Sequence, residues 1–457
     1  MTRHVEVDVA VVGAGPGGLA AIEALTRDRS PHSSTTHPGT IALIDDAPIV
    51  GGQIWRARDS RPARETDSYL DLLQHDQVDH LQETLIVDAA SGSGESPVLF
   101  AVGPTGPVRI VARAIVLATG AMERFLPFPG WTLPGVVGAG GLQALIKGGF
   151  DVAGRRLVIA GSGPLLLAVA DLARRCGAQV LCLTEQAERH SLLPFARAIL
   201  VRPGKLWQGL GLGRRLLPVR KRFGTWPIRA VGDERLEHVV LRSSDGREST
   251  VECDLLACGF GLVPRLSLPR LLGCQVEAVG DGALRVVVDD RQRTSVPGVY
   301  AIGEATGVGG VDKALVEGRV AGLDAAGKGV DARLMASRDR ERRFADALEA
   351  SFSLRDELRE LPTSDTLVCR CEDVPWTELA AARCARDAKL NTRCGMGPCQ
   401  ARVCGPALAF LKGWVPESPR PPLFPTDLQT LTDLYQTETF SEQSPPSNQK
   451  VDRAAPV

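Results

Sequence analysis

Near the start of the chain a strand, a glycine turn and a helix follow one another without a break. This junction limits the possible fold more than any other segment. VDVAVV (residues 7–12) reads as a strand and runs straight into GAGPGGLAAIEAL, an alanine- and leucine-bearing helix. Gly13, Gly15 and Gly18 form G-x-G-x-x-G at the join, with Pro16 between the second and third glycines. The first glycine permits the tight turn, the second lets backbone approach a pyrophosphate, and the third lets helix pack on strand. The helix N-terminus then offers free N–H groups and its dipole to phosphate. The next strand, TIALIDD, ends in Asp45 and Asp46. An acid there binds ribose hydroxyls, and Asp45 is expected to do so because it directly follows the apolar run. The polar insert RDRSPHSSTTHPGT (residues 27–40) lengthens the spacing and reads as a surface loop.

Later segments select FAD over NAD as this dinucleotide. PIVGGQIWR (residues 48–56) contributes Gly52, Gln53 and Arg56. SVPGVYAIGEATGVGG (residues 295–310) is a strand ending in Gly303 and Glu304, then a glycine turn through Gly310 and a helix. In flavoproteins with two dinucleotide domains an acid at this point binds the ribityl chain, and the helix aims its N-terminus at the flavin ring. Aspartate is the usual residue, so Glu304 is a departure; the alternative is a strand-end acid in solvent. AIVLATGAMERFLPFPG (residues 114–130) places Thr119 and Gly120 at the crossing between domains.

A second mononucleotide unit follows in RRLVIAGSGPLLLAVADLARRCGAQVLCLTE. Gly161 and Gly163 hold the first two glycine positions, but Leu166 holds the third, where it would push helix from strand and crowd a pyrophosphate. Glu185 ends the next strand and can still hold a ribose. An NAD(P) site, a site for another nucleotide such as ATP, and an empty structural relic all stay open. The basic stretch from Arg202 to Arg229 reads as a solvated loop, with docking of an acidic partner as the second reading.

Five cysteines crowd the last quarter of the chain. Cys369 and Cys371 lie in LVCRCEDV; Cys394, Cys399 and Cys404 lie in NTRCGMGPCQARVC. Thiolates this dense, in a chain that begins without a secretory signal pattern, point to metal ligation rather than disulfides. Arg370, Lys389, Arg393 and Arg402 bring positive charge that suits an anionic iron–sulfur cluster. Zinc is the competing reading, although its sites favour C-x2-4-C pairs over C-x-C. Cys384 reads as packing on a helix spanning VPWTELAAARCARDA, and Cys253, Cys258 and Cys274 as small core residues.

C-R-C-E followed by G-M-G-x-C-Q-x-R-x-C resembles the [2Fe–2S] module related to bacterioferritin-associated ferredoxin. That resemblance implies Cys369, Cys371, Cys399 and Cys404 as ligands and leaves Cys394 as a fifth thiol. With the FAD motif, the GGQ segment, PFPGWTLPGVVGAGGLQALIK, AGSGPLLL and GFG in this order, nearly the whole chain resembles the alpha subunits of heteromeric D-hydroxyproline, L-proline and opine dehydrogenases. The B subunit of hydrogen cyanide synthase has a similar layout. The resemblance implies a glutathione-reductase-like α/β flavoprotein of two dinucleotide-binding domains with a small helical [2Fe–2S] module. The expected boundaries are 1–150 plus 285–332 for the FAD domain and 151–284 for the second, NAD(P)-like domain. A helical connector over 333–365, a [2Fe–2S] domain over 366–420 and a tail over 421–457 complete the chain. The tail beyond about residue 440 is expected to be disordered. The implied partners are a beta subunit resembling glycine and sarcosine oxidases, a small ferredoxin-like gamma subunit, and an electron acceptor, with FMN at the alpha–beta contact.

The chain has 53 basic and 54 acidic residues, which implies no nucleic-acid partner. No apolar stretch makes a convincing membrane span, and a cytoplasmic location is expected. There is no C-x-x-C and no cysteine in the GGQIW segment, so a redox-active cysteine pair beside the flavin is not expected. With 7 His and 3 Tyr, no acid or base for oxidising an amino acid can be nominated, and no catalytic residue is assigned. An electron-transfer subunit of an amine or imino-acid dehydrogenase acting on D-hydroxyproline is the leading expectation. Opine oxidase and cyanide synthase subunits are variants of it. A self-sufficient NAD(P)H-dependent reductase and a non-catalytic scaffold are the alternatives.

Overall fold

The computed structural model describes residues 2–26, 39–56, 64–91, 96–415 and 419–435. Most of the polar insert after the first helix, and the tail beyond residue 440, lie outside the described residues. Two sheets dominate, the first mixed and the second parallel. The first is built on strand Arg3–Val12, which pairs in parallel with Ile41–Ile44 on one side and Gly106–Leu117 on the other. The long strand Gly106–Leu117 takes two partners on its far edge: antiparallel Val98–Gly103 along its first half and parallel Val299–Ala301 along its end. This late strand returns the chain to the first sheet after the second sheet is complete. It places Gly303 and Glu304 beside the first glycine turn.

Helix Pro16–Thr26 buries eight of its eleven residues. One partner is helix Val311–Ala325, and the two backbones meet closely at glycines. A Cβ at Gly318 would lie 2.2 Å from the Gly17 carbonyl oxygen, and one at Gly322 would lie 2.6 Å from that of Ala21. Small residues on both helices therefore set the distance between their two N-termini.

The second sheet is five-stranded and parallel, in the order Arg220–Phe223, Gln179–Glu185, Arg156–Ser162, Leu255–Phe260, Val136–Gly138. Helix Leu165–Arg175 covers one face through Leu166, Val169 and Ala173. The other face packs on a three-stranded antiparallel sheet and on residues from the C-terminal part of the chain. Strands Ala121–Glu123 and Leu262–Pro264 pair antiparallel and tie the two crossings between the sheets together.

The basic stretch Arg202–Arg229 is not a loop. It forms helix Pro203–Arg215 and strands Arg220–Phe223 and Thr225–Val231. Pro203 sits in the first turn, where its missing N–H costs nothing, and Gly209 has open space around its backbone, so these residues do not break the helix. The segment VPWTELAAARCARDA is not one helix either. It runs as strand Val374–Pro375, a single 3-10 turn Trp376–Leu379 and a bend before helix Ala385–Thr392. Cys384 is exposed and caps that last helix, accepting the Asp387 N–H at 3.5 Å, so it is not a packing residue.

Candidate flavin cradle and thiol cluster

The three glycines of the first turn divide their roles. A Cβ at Gly13 would lie 2.3 Å from the Ala118 carbonyl oxygen, and one at Gly18 would lie 1.9 Å from that of Gly13. Gly15 faces nothing within 4 Å. Two glycines thus serve backbone packing and the middle one opens onto free space, as a pyrophosphate requires. The GGQ segment closes over this turn: the Gly51 N–H donates to the Ala14 carbonyl at 2.8 Å, and a Cβ at Gly52 would stand 3.2 Å from the Gly15 Cα. Exposed Gln53 extends past it, and its carbonyl accepts from the Lys147 ammonium at 2.8 Å. Arg56 lies near enough for its charge, after burial, to lower the Lys147 pKa.

Asp45 stands at the head of its strand but turns inward. Its carboxylate accepts from the Ala14 N–H and from the Ala47 N–H at 2.8 Å, and burial raises its pKa. Asp46 beside it is exposed. Thr119 and Gly120 are clamped to the second crossing, with the Thr119 hydroxyl donating to the Arg265 carbonyl at 2.9 Å and the Arg265 N–H donating to the Gly120 carbonyl at 3.0 Å. Glu304 accepts from the Gly309 and Gly310 N–H groups at 3.1 and 2.8 Å, fixing the turn before helix Val311–Ala325. Burial pushes its pKa upward, with the Lys313 charge opposing.

The sequence reading missed a buried ion pair under this turn. The Lys313 ammonium donates to the Gly303 carbonyl, the Thr306 hydroxyl and the Glu317 carboxylate at 2.7, 2.7 and 3.0 Å. Glu317 also accepts the Gly303 N–H at 2.8 Å. A Lys–Glu pair four residues apart, directly after the G-E turn, was the available signal.

The second glycine turn is built differently. Gly161 abuts Gly259, whose carbonyl oxygen would be 1.8 Å from an added Cβ, and Gly163 faces open space. Leu166, at the third position, is 1% exposed and sits in the core between helix and sheet. Glu185 is turned back onto the turn, accepting the Gly163 and Ala187 N–H groups at 2.8 and 3.0 Å, and burial pushes its pKa up to about 7. The end of the connector lies along the same edge. The Ser162 hydroxyl donates to the Phe352 carbonyl at 3.0 Å, the Gln186 amide to the Ser353 carbonyl at 3.0 Å, and the Arg355 N–H to the Gln186 side chain at 3.2 Å.

At the C-terminal module the five cysteines converge. The sulfurs of Cys369, Cys394 and Cys404 all lie within 4.8 Å of one another and are buried. Cys371, which is exposed, shares a hydrogen bond with Cys399. The backbone between them is tightly wound. Arg393, Gln400 and Ala401 take positive φ of 64°, 49° and 61°, a conformation that costs non-glycine residues energy and accumulates at functional sites. Gly397 is required, because a Cβ there would lie 2.3 Å from that of Cys371. The Gly395 N–H points at the Cys369 sulfur, 3.4 Å away. The Cys404 side chain, then burial, holds the Cys369 thiol well above its ordinary range. A thiol-only donor set so crowded suits a thiophilic metal centre, such as the irons of an iron–sulfur cluster, that would bind the thiolate form. Of the expected cations, Arg393 is spent on Glu372 at 2.7 Å, whereas Arg402 reaches the Cys399 carbonyl at 3.3 Å.

The module is docked on the rest of the chain rather than tethered. The Trp131 indole donates to the Leu367 carbonyl at 2.7 Å. Phe410, on the helix that begins at Cys404, is fully buried, with the Arg359 guanidinium 4.3 Å and the Arg124 guanidinium 5.8 Å from its ring centre. Arg402 also feels Arg265, whose charge adds to burial in lowering the Arg402 pKa. Arg265 is the residue whose backbone clamps Thr119 and Gly120.

Residues 7–321 match the family described as pyridine nucleotide-disulphide oxidoreductase. The chain belongs to this family. It is a flavin-dependent oxidoreductase, an α/β protein of the two-dinucleotide-domain type. The A subunit of opine oxidase from Rhizobium meliloti (strain 1021) is 34% identical to it over 474 residues, covering 94% of this chain and 99% of the relative. The hydrogen cyanide synthase subunit HcnB of Pseudomonas protegens is 30% identical over 428 residues, covering 86% of this chain and 89% of the relative. In fold the chain resembles L-proline dehydrogenase from P. horikoshii, with a TM-score of 0.64 at 20% identity, covering 94% of this chain and 80% of that one. No helix among the described residues is long and apolar enough to cross a membrane.

Proposed function

We propose that this chain is the electron-transfer subunit of a cytoplasmic, multi-subunit dehydrogenase for amines or imino acids, with D-hydroxyproline as the favoured substrate. When bound, FAD handles electrons in pairs and a [2Fe–2S] cluster handles them singly. Gly13, Gly15, Gly18, Gly52 and Gly310 would shape the flavin cradle, and Cys369, Cys371, Cys399 and Cys404 would hold the cluster. The observation that carries the reading is the docking of a thiol-only cluster onto a flavin-type dinucleotide fold through Trp131 and Phe410. A substrate-oxidising partner resembling glycine and sarcosine oxidases is supported by relatives that are themselves named as subunits. The exposed apolar residues Leu200, Val201, Trp207, Leu210 and Leu217 offer a face for such a partner. Around that face Arg202, Lys205 and Arg215 pair with Glu341, Asp312 and Asp171, and exposed Arg197 and Arg214 would suit an acidic partner surface.

A self-sufficient NAD(P)H reductase is the second reading, favoured by the open space at Gly163. Against it stand Leu166 in the third glycine position and Glu185 committed to the turn itself. The test is anaerobic. The FAD- and iron-loaded chain is mixed with NADH and then NADPH while flavin absorbance is followed. No bleaching by either, with dithionite reducing both centres, is the expected result. Rapid bleaching would make the chain a nicotinamide-dependent reductase and overturn the relay reading. D-Hydroxyproline, L-proline, an opine and glycine, each given to the complex with its oxidase partner, then identify the substrate.

A further inference from the structure

The five thiols divide unequally. Cys371 and Cys399 form one pair at the exposed edge of the module, and Cys369, Cys394 and Cys404 form a buried trio. A [2Fe–2S] cluster takes four thiolates, two on each iron. The exposed end therefore supplies the two sulfurs its iron needs, and the buried end supplies one more than its iron needs. We infer that Cys394 is an exchangeable ligand, able to replace Cys404 or Cys369 on the buried iron; this rests on the cluster reading above.

Two features make the exchange feasible. The Cys394 sulfur already lies within 4.8 Å of both others, so no rearrangement of the fold is needed to reach the same iron. Cys394 also sits in a turn between Arg393 at φ 64° and Gly395 at φ 81°, whereas Cys404 is the first residue of helix Cys404–Lys412. A turn residue can shift by small backbone rotations that a helical residue cannot make. The exposed end differs in the first feature: among the described residues no third thiol groups with Cys371 and Cys399.

The experiment is substitution with alanine in the full chain, reconstituted anaerobically. Iron and acid-labile sulfide are counted, and the visible and electron paramagnetic resonance spectra are recorded. FAD content serves as the check on folding. Wild type should carry about two irons and two sulfides per chain. Cys404→Ala and Cys369→Ala should each keep most of that content with altered spectra, and Cys394→Ala should keep all of it. The double variant Cys394→Ala/Cys404→Ala should drop to roughly a tenth or less while retaining FAD, as should Cys371→Ala or Cys399→Ala alone. Loss of the cluster from Cys404→Ala and from Cys369→Ala, with FAD retained, overturns the inference. Loss from Cys394→Ala alone also overturns it, by making Cys394 obligatory. If alanine variants prove insoluble, Cys404→Ser and Cys394→Ser/Cys404→Ser carry the same comparison. A wild-type chain that binds no cluster would instead refute the cluster reading itself, a result distinct from failure of exchange.

Discussion

Glu123 offers the sharpest quantitative test of how the two dinucleotide units are joined. It ends the short crossing strand Ala121–Glu123, and its carboxylate points into the start of helix Ala139–Lys147, accepting the Gly140 and Gly141 N–H groups at 2.8 and 3.3 Å. Glycines make room for it. A Cβ at Gly138 or Gly259 would come within 2.2 or 2.3 Å of its oxygens. Burial pushes its pKa from 4.5 up to about 7, with the helix N–H groups opposing. The sign follows from linkage. Between these values the folded chain keeps a proton that the unfolded chain has released, so the contribution of Glu123 to stability is greatest below pH 4.5 and falls as pH rises to about 7. At about 1.4 kcal/mol per pH unit, the fall amounts to ~3 kcal/mol. Glu123→Gln removes the titration while keeping the shape. Urea unfolding of both proteins, followed by tryptophan fluorescence at pH 5, 6, 7 and 8, should show the variant gaining ~3 kcal/mol on wild type across that range. The comparison cancels every other titrating group, Glu185 included. A difference that stays flat with pH would show that Glu123 is not held in a site that disfavours its charge.

Other perturbations probe the cradle and the docking of the module. Gly15→Val should leave the far-ultraviolet circular dichroism unchanged but empty the FAD site, because its side chain would enter the open space the pyrophosphate needs; full FAD occupancy would refute the assignment. Lys313→Met leaves the fully buried Glu317 carboxylate with Arg342, 3.7 Å away, as its cation and should cost about 3 kcal/mol in denaturant unfolding, with FAD released at lower temperature. Phe410→Ala removes a fully buried ring that two guanidiniums face and should cost about 3–5 kcal/mol. Limited proteolysis should then cut the chain near residues 362–366 while FAD stays bound; cleavage at the wild-type rate would mean that the module is anchored elsewhere.

What the sequence disclosed and what it concealed have a common physical origin. Gly13 and Gly18 were legible because each has a carbonyl oxygen about 2 Å from where a side chain would begin, a constraint that leaves only glycine. The thiol cluster was legible in composition, but its division into a pair and a trio was not, since that depends on the winding of residues 393–401. The misread segments show the reverse situation. Glycines and Pro203 suggested a loop over Arg202–Arg229, yet proline in a first turn and glycine with open space around it exclude no helix. Alanines suggested a helix over residues 374–388, yet the chain bends there, and the intrinsic preference of alanine is small beside the contacts that bring Cys369, Cys394 and Cys404 together.

Glu123, Glu185, Glu304 and Asp45 carry the same physics into function. All four are acids at or near strand ends, all four have pKa values raised chiefly by burial, and all four accept backbone N–H groups of a turn or a helix start. Sequence alone offers Asp45, Glu185 and Glu304 as ligands for ribose or ribityl hydroxyls, because the signal is only an acid after an apolar run. The structure adds a second role, in which the carboxylate organises the turn that would hold the nucleotide. The two roles are compatible where a carboxylate has an acceptor position left over, as Glu304 has beyond its two N–H partners. At Glu185 the buried carboxylate receives the Gly163, Ala187 and Gln186 N–H groups and also the Ser162 side chain, while Gln186 is held by the connector, so the acid and its neighbour are both engaged within the chain. An acid at a strand end thus keeps acceptor capacity at Glu304 and is spent within the chain at Glu185.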